Sequence, residues 1–219
     1  MNKIKLINKL KLKKYRDELN LFVVEGDKLI DELPNDSIEF ILSVDEIGER
    51  EFKKISSLTT PQSKIAVCRK PKSLKITGDL IIVLDRIQDP NNIGAILRTT
   101  AAANFRDVIL LDGTADPFNE KSIRASMGAI FHLNLVTMSE DELLNLPFKL
   151  VAAHIEGINY REFILHKSQP VALIFGNEGG GVSKNILNSA EKITIPIYNV
   201  ESLNVNAAAA ILIFYLANT

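Results

Sequence analysis

The stretch LIIVLDRIQDPNNIGAILR, Leu80 to Arg98, decides the fold. It opens with an almost unbroken apolar run, LIIVLDRI (80–87), the composition of a central parallel strand that is covered on both faces. Asp89 and Pro90 then close a loop, and Asn91 or Asn92 is placed to cap the helix that follows. Gly94 and Arg98 stand four apart on one face of that helix. Strand, loop and capped helix make one βα unit, and the carboxyl end of such a strand is where α/β sheets bind ligands.

Working outward, the same alternation continues. Downstream, DVILLDG, LNLVTMS, KLVAAHIEG, PVALIFG and EKITIPI read as strands. EKSIRASMGAIF, EDELLNL and the C-terminal LNVNAAAAILIFYLANT read as helices. Upstream, LFVVEG (21–26), IEFILSV (38–44) and SKIAVCRK (63–70) read as strands separated by the helical DKLIDEL and DEIGEREFKKISSL. Strands separated by helices predict an α/β fold with a mostly parallel sheet and helices on both faces. The segment PKSLKITGD (71–79) is polar and carries Pro and Gly, so it reads as a connector. The expected division is a small α/β domain over 1–72, a linker over 73–79 and a second domain over 80–219.

Bulk properties narrow the class. The chain of 219 residues has one cysteine, Cys68, which leaves no disulfide framework and no cysteine metal site and fits a reducing cytosol. No apolar run approaches membrane-spanning length, and the N-terminus lacks the apolar block of a secretory signal, so a cytoplasmic protein is expected. His132, His154 and His166 have no metal-ligand spacing, and no metal is expected. The net charge of −1 argues against a protein coated in positive charge. Yet Lys3, Lys5, Lys9, Lys11, Lys13, Lys14 and Arg16 crowd the first sixteen residues without one acid. That run is the solvated face of a helix whose stripe is Ile4, Ile7 and Leu10, or a nucleic-acid contact, and the two readings are compatible.

Two further segments break the βα pattern. FGNEGGGVS, Phe175 to Ser183, places four glycines in six positions directly after an apolar strand. Such a loop suggests a phosphate cradle, but Glu178 in its middle is a poor companion for a bound anion. Its carboxylate can accept hydrogen bonds from a ligand or from a neighbouring loop. In IPIYNVESLNVNAAAAILIFYL (195–216), Pro196 marks a strand end, Ser202 or Asn204 can cap the last helix, and Ala207 to Ala210 offer a smooth face for close packing.

Asn92-x-Gly94-x-x-x-Arg98, then FGNEGGGVS, then IPIYNVESLNVNAAAAI resemble, in this order, the three motifs of the SpoU family of RNA ribose 2′-O-methyltransferases, in the SPOUT superfamily. The resemblance covers residues 80–219, and KYRDELNLFVVEGDKLIDEL resembles the opening of the small RNA-binding domain that precedes the catalytic domain in several ribosomal-RNA members. The resemblance implies a C-terminal trefoil knot that binds S-adenosylmethionine, and a homodimer with the active site near its interface. By motif position, Gly176, Asn177, Gly181, Ile195, Ile197 and Leu203 would bind the cofactor. Arg98 would bind the target phosphate and steady the forming alkoxide, with Asn92, Glu178, Ser202 and Asn204 orienting it and the nucleotide. Lys121 and Arg124 would meet RNA backbone with Ser122 and Ser126 as extra donors, and Lys11, Lys13, Lys14 and Arg16 would extend that contact. The N-terminal domain favours ribosomal over transfer RNA as the substrate. Transfer RNA methylation, or RNA binding without catalysis as in ribosome assembly, remain the alternatives. The chain departs from the family in a third motif that is short between Ile195 and Leu203, with Asn199 where many members carry glycine.

Overall fold

The computed structural model describes residues 2–164 and 169–217, so the expectation for His166 falls outside the described residues. Its larger sheet is built around β4 (Leu80–Asp85), which is buried along its whole length. Alternate residues of β4 enter opposite cores: Leu80, Ile82 and Leu84 one, Ile81 and Val83 the other. This is the period-two geometry of a strand covered on both faces. The remaining strands are β5 (Asp107–Leu111), β6 (Asn134–Met138), β7 (Lys149–Asn159), β8 (Val171–Gly176) and β9 (Glu191–Thr194). Their order is β6-β5-β4-β8-β7-β9, and every pairing is parallel. The chain first builds β4, β5 and β6 toward one edge and then lays β8, β7 and β9 on the other side. The order therefore reverses between β4 and β8, the kind of place where such sheets bind ligands.

Helix α6 (Pro90–Ala102) starts at Asp89, whose Oδ1 accepts from the Asn91 amide at 2.9 Å, with Pro90 in the first turn. Asp89, not Asn91 or Asn92, is the cap, and this frees the Asn92 side chain for other work. Helix α6 crosses α7 (Glu120–Ser126) at Gly94. A Cβ there would stand 2.4 Å from the Ser122 carbonyl oxygen and 2.5 Å from Ala125 Cβ. The expected helix EKSIRASMGAIF ends at Ser126, because Met127 (φ 48°) and Gly128 (φ 82°) turn left-handed before a short 3-10 turn. Helix α10 (Val205–Ala217) packs against α6 and β8. The opposite face is covered by α8 (Glu140–Leu144) and α9 (Lys184–Ser189), which contribute Leu143 and Ile186.

The N-terminal sheet corrects the expectation of parallel pairing. Strands β1 (Leu21–Glu25), β2 (Ile38–Ser43) and β3 (Lys64–Arg69) lie in the order β1-β3-β2, and both pairings are antiparallel. β1 and β2 run in the same direction, as a βαβ unit through α3 (Asp27–Asp31) requires, but β3 is inserted between them. The helix expected over 45–58 is split at Gly48 (φ 78°) into α4 (Val44–Ile47) and α5 (Glu49–Ile55). Cys68 lies inside this module, where burial pushes its thiol up to about 12.

The two sheets share a seam. Phe22 is fully buried, with its ring 5.0 Å from Phe118 and 5.8 Å from Phe131, and Ile123 and Ile130 join Val24, Ala66 and Cys68 in one cluster. Two helices precede β1, α1 (Lys3–Leu10) and α2 (Lys13–Leu19). Arg16 of α2 is buried at the seam and ion-paired with Asp116 at 2.6 Å, while its Nη1 donates to the Leu10 and Lys11 carbonyls. Arg16 is therefore committed to holding the fold and is withdrawn from the RNA contacts. Ser122 and Ser126 are withdrawn too: both are buried and donate to the carbonyls of Asp116 and Ile123. The connector is pinned rather than loose. Asn134 bonds both backbone groups of Leu74, and Asp107 accepts from the Thr77 and Gly78 amides. Among the described residues no helix is long and apolar enough to cross a membrane.

Candidate active site

The glycine loop leaves β8 and folds on itself. A Cβ on Gly176 would stand 2.1 Å from the Val182 nitrogen, so only glycine permits this close backbone approach. Asn177 and Gly181 exchange backbone hydrogen bonds of 3.1 and 2.8 Å, and Asn177 Oδ1 accepts from the Gly179 and Gly180 amides at 2.9 Å each. The amides of 179, 180 and 181 are thus used inside the loop, and none is offered to a phosphate.

Glu178 instead crosses to the loop after β4. Its carboxylate accepts from Asn92 Nδ2 at 2.8 Å, the Gln88 amide at 3.2 Å and the Asp89 amide at 3.3 Å. Partial burial would raise its pKa, but these hydrogen bonds outweigh it and hold the acid below its ordinary range. The position a bound anion would take at the start of α6 is filled by the protein's own carboxylate.

The third segment closes on the same point. Asn92 is buried, and its Oδ1 accepts from Asn204 Nδ2 at 3.3 Å and Asn206 Nδ2 at 3.1 Å. Asn204 Oδ1 also accepts from the Asn206 amide at 2.9 Å, which makes Asn204, not Ser202, the cap of α10. One buried amide therefore joins the first turn of α6, the glycine loop and the start of the last helix. Asn199, in the departing stretch, has φ 66°, a left-handed conformation that asparagine adopts more readily than most residues other than glycine.

Between the glycine loop, the third segment and β7 lies a cavity of about 610 Å³. Gly176, Asn177, Gly181, Ile195, Ile197 and Leu203 all line it, as do Glu178, Ser202 and Asn204. Asn92 supports it from behind. Arg98 does not line it: the side chain is exposed farther along α6, with no hydrogen bond or ion pair among the described residues. Lys121 is exposed on α7, and Arg124 donates to Ser57 Oγ at 3.0 Å across the seam. Lys13 pairs with Asp17 at 2.6 Å, Lys14 is exposed and Lys11 is half-buried, so these lie on the N-terminal module, away from the cavity. Among the described residues no group of three or more His, Cys, Asp or Glu side chains is arranged to hold a metal.

Sequence reasoning missed four participants. His154 lines the cavity from the middle of β7. Asn206 completes the Asn92 cluster. Asp85 and Arg86 form a pair at the end of β4. Only Asp85 carried a readable signal, a carboxylate ending an otherwise apolar strand.

Residues 79–214 match the model of the SpoU rRNA Methylase family. The chain belongs to that family. Residues 1–45 match the MRM3-like substrate binding domain. Over 238 aligned residues the chain is 35% identical to the 23S rRNA (guanosine(2553)-2′-O)-methyltransferase RlmP of Bacillus subtilis, covering 98% of this chain and 95% of that one. The structure is similar to that of an AdoMet-bound rRNA methyltransferase from Sinorhizobium meliloti, with a TM-score of 0.86, 29% identity and coverage of 98% and 94% of the two chains. It shares its fold with the SpoU methyltransferase AviRb from Streptomyces viridochromogenes, at a TM-score of 0.80 and 22% identity. For a SpoU methylase the lining is chemically apt. Phe175, Ile195, Leu203 and Leu212 give apolar walls, Glu178 and Glu201 contribute carboxylates, and among the described residues no Lys or Arg lines the cavity to repel a sulfonium.

Proposed function

We propose that this SpoU methylase transfers a methyl group from S-adenosylmethionine to a ribose 2′-hydroxyl of ribosomal RNA. The carrying observation is the meeting of the three motif segments at Asn92, beside a cavity that no Lys or Arg among the described residues lines. Gly176, Asn177, Gly181, Ile195, Ile197 and Leu203 would hold the cofactor, which supplies an electrophilic methyl group when bound. A ribose hydroxyl is a weak nucleophile until the charge developing on its oxygen is stabilised. The Arg98 guanidinium keeps its proton in proteins, so its part is electrostatic: it binds a phosphate of the target nucleotide and steadies the forming alkoxide. Asn92, Glu178 and Asn204 tie together the segments that the substrate meets, and Ser202 offers its hydroxyl at the cavity wall.

The substrate class rests on the 23S rRNA enzyme similar over nearly the whole chain and on the N-terminal module. A cytoplasmic location is part of this reading. Exposed Lys14 and Lys121, with Lys11, Lys13 and Arg124, are the RNA contacts. Two finer features complete the reading. The return of α10 from the β9 edge to α6, past the glycine loop, is the path a trefoil knot takes. A homodimer accounts for the outward Ile211 of α10 and the exposed Tyr198 and Val200, and for an Arg98 that faces solvent on a single chain.

Calorimetric titration with S-adenosylmethionine should show one site, and Arg98→Ala should lower methyl transfer to ribosomal RNA at least about 100-fold while changing cofactor affinity little. Wild-type turnover in that variant would remove Arg98 from the mechanism.

A further inference from the structure

Arg86 holds a left-handed backbone at φ 57°, a conformation in which a long side chain is uncommon and glycine or asparagine would be at ease. Such residues persist where the surroundings over-determine them. Every polar part of Arg86 except Nη1 is engaged. Its amide donates to Thr114 Oγ1 at 3.0 Å, and its carbonyl accepts from Asn177 Nδ2 at 2.9 Å and Gln88 Nε2 at 3.3 Å. Its guanidinium donates twice to the Asp85 carboxylate, at 2.7 and 3.0 Å, and Nη2 also reaches the Gly181 carbonyl at 3.3 Å. Asp85 is almost fully buried and accepts in addition from the Ser183 amide at 2.7 Å. The far side of this turn is held by Glu140, which accepts from Ser183 Oγ at 2.5 Å and Asn185 Nδ2 at 2.8 Å.

The pair thus holds the glycine loop at three points, Asn177, Gly181 and Ser183. Neither residue lines the cavity. We propose that Asp85 and Arg86 are positioning residues for cofactor binding: the ion pair fixes the glycine loop in the shape that accepts S-adenosylmethionine, and the left-handed strain at Arg86 is tolerated because the guanidinium must stand there. The proposal rests on the reading of the cavity as the cofactor site. A device that shapes the empty loop should act on cofactor affinity. It should leave the rate at saturating cofactor nearly unchanged, because Arg98 and the RNA-binding side chains lie elsewhere.

The test uses the full chain, S-adenosylmethionine calorimetry, saturating-cofactor kinetics and thermal melts. Arg86→Gln leaves Asp85 buried without its cation and should lower the melting midpoint as well as weaken cofactor binding about tenfold or more. The double variant Asp85→Asn, Arg86→Gln removes both charges and should recover most of the melting midpoint, because no lone charge stays buried. Its affinity should stay weak, since an amide pair cannot reproduce the two-pronged clamp. Arg86→Lys should fall between wild type and Arg86→Gln in affinity. Affinity that returns together with the melting midpoint in the double variant would overturn the proposal and leave the pair a purely structural one. Unchanged affinity in Arg86→Gln would also overturn it, while the cofactor reading would stand. Absence of binding by the wild-type chain would instead sink that reading, and the proposal with it.

Discussion

At the scale of the residue, Glu178 resolves the oddity of an acid in a glycine loop. The carboxylate is a tie to Gln88, Asp89 and Asn92, and the tie needs the charged form. Its pKa is lowered in the folded protein, so its stabilisation is complete above the ordinary glutamate value of about 4.3 and is lost as pH falls through the lowered folded value. Cofactor affinity measured by calorimetry should be level between pH 7 and about 5 and fall below about pH 4. Glu178→Gln would turn an amide group toward the backbone donors of Gln88 and Asp89, and should weaken cofactor binding at least about fivefold between pH 7 and about 5, where Glu178 is charged, with the difference narrowing in acid. A variant that bound as tightly as wild type would show that the tie does not shape the site. The importance of Glu178 was legible in the sequence because an anion in such a loop conflicts with local expectation. The roles of Asn206 and Arg86 were not, since each depends on partners brought in by another segment.

At the scale of the element, Gly94 shows how a single missing Cβ sets a helix crossing. The nearest atoms include the Ser122 carbonyl oxygen and the Ser126 nitrogen of α7, backbone atoms that cannot rotate aside. Alanine is the better helix former by about 0.5–1 kcal/mol, but overpacking a close approach costs about 1–3 kcal/mol, so the clash wins. Gly94→Ala should lower the free energy of unfolding in urea, and an increase would mean that α6 and α7 separate freely. Most strands and helices were legible in the sequence, because apolar runs and periodic faces are local. Their limits were less so where a left-handed residue intervened, as at Gly48 and Met127. Strand direction in the N-terminal sheet was not legible, because alternation of strand and helix does not reveal that β3 inserts between β1 and β2.

At the scale of the whole molecule, the two sheets are joined by a desolvated seam. Arg16 and Asp116 are each less than a tenth exposed, and removal of one charge leaves the other buried alone. Asp116→Asn should cost about 3–5 kcal/mol in chemical denaturation. A change under about 1 kcal/mol would show that water reaches the seam. The burial of Ile7, Leu10 and Arg16 also means that removal of residues 1–16 would damage the core rather than test RNA binding alone. Replacement of the exposed Lys5, Lys9 and Lys14 by glutamine is the cleaner probe. It should weaken RNA binding and reduce the salt slope by roughly 0.7–0.9 for each phosphate no longer neutralised, whereas an unchanged slope would make that face merely solvated. The sequence by itself determined the βα alternation, the buried central strand and the three motif segments, because these follow from side-chain pattern and backbone preference within a few residues. Only the tertiary structure decided that Arg16 finds Asp116 a hundred residues away, that Glu178 ties to α6, and that Arg98 is exposed and does not line the cavity. Those outcomes depend on which desolvated polar groups find partners once distant segments pack, and no local stretch contains both halves of such a pair.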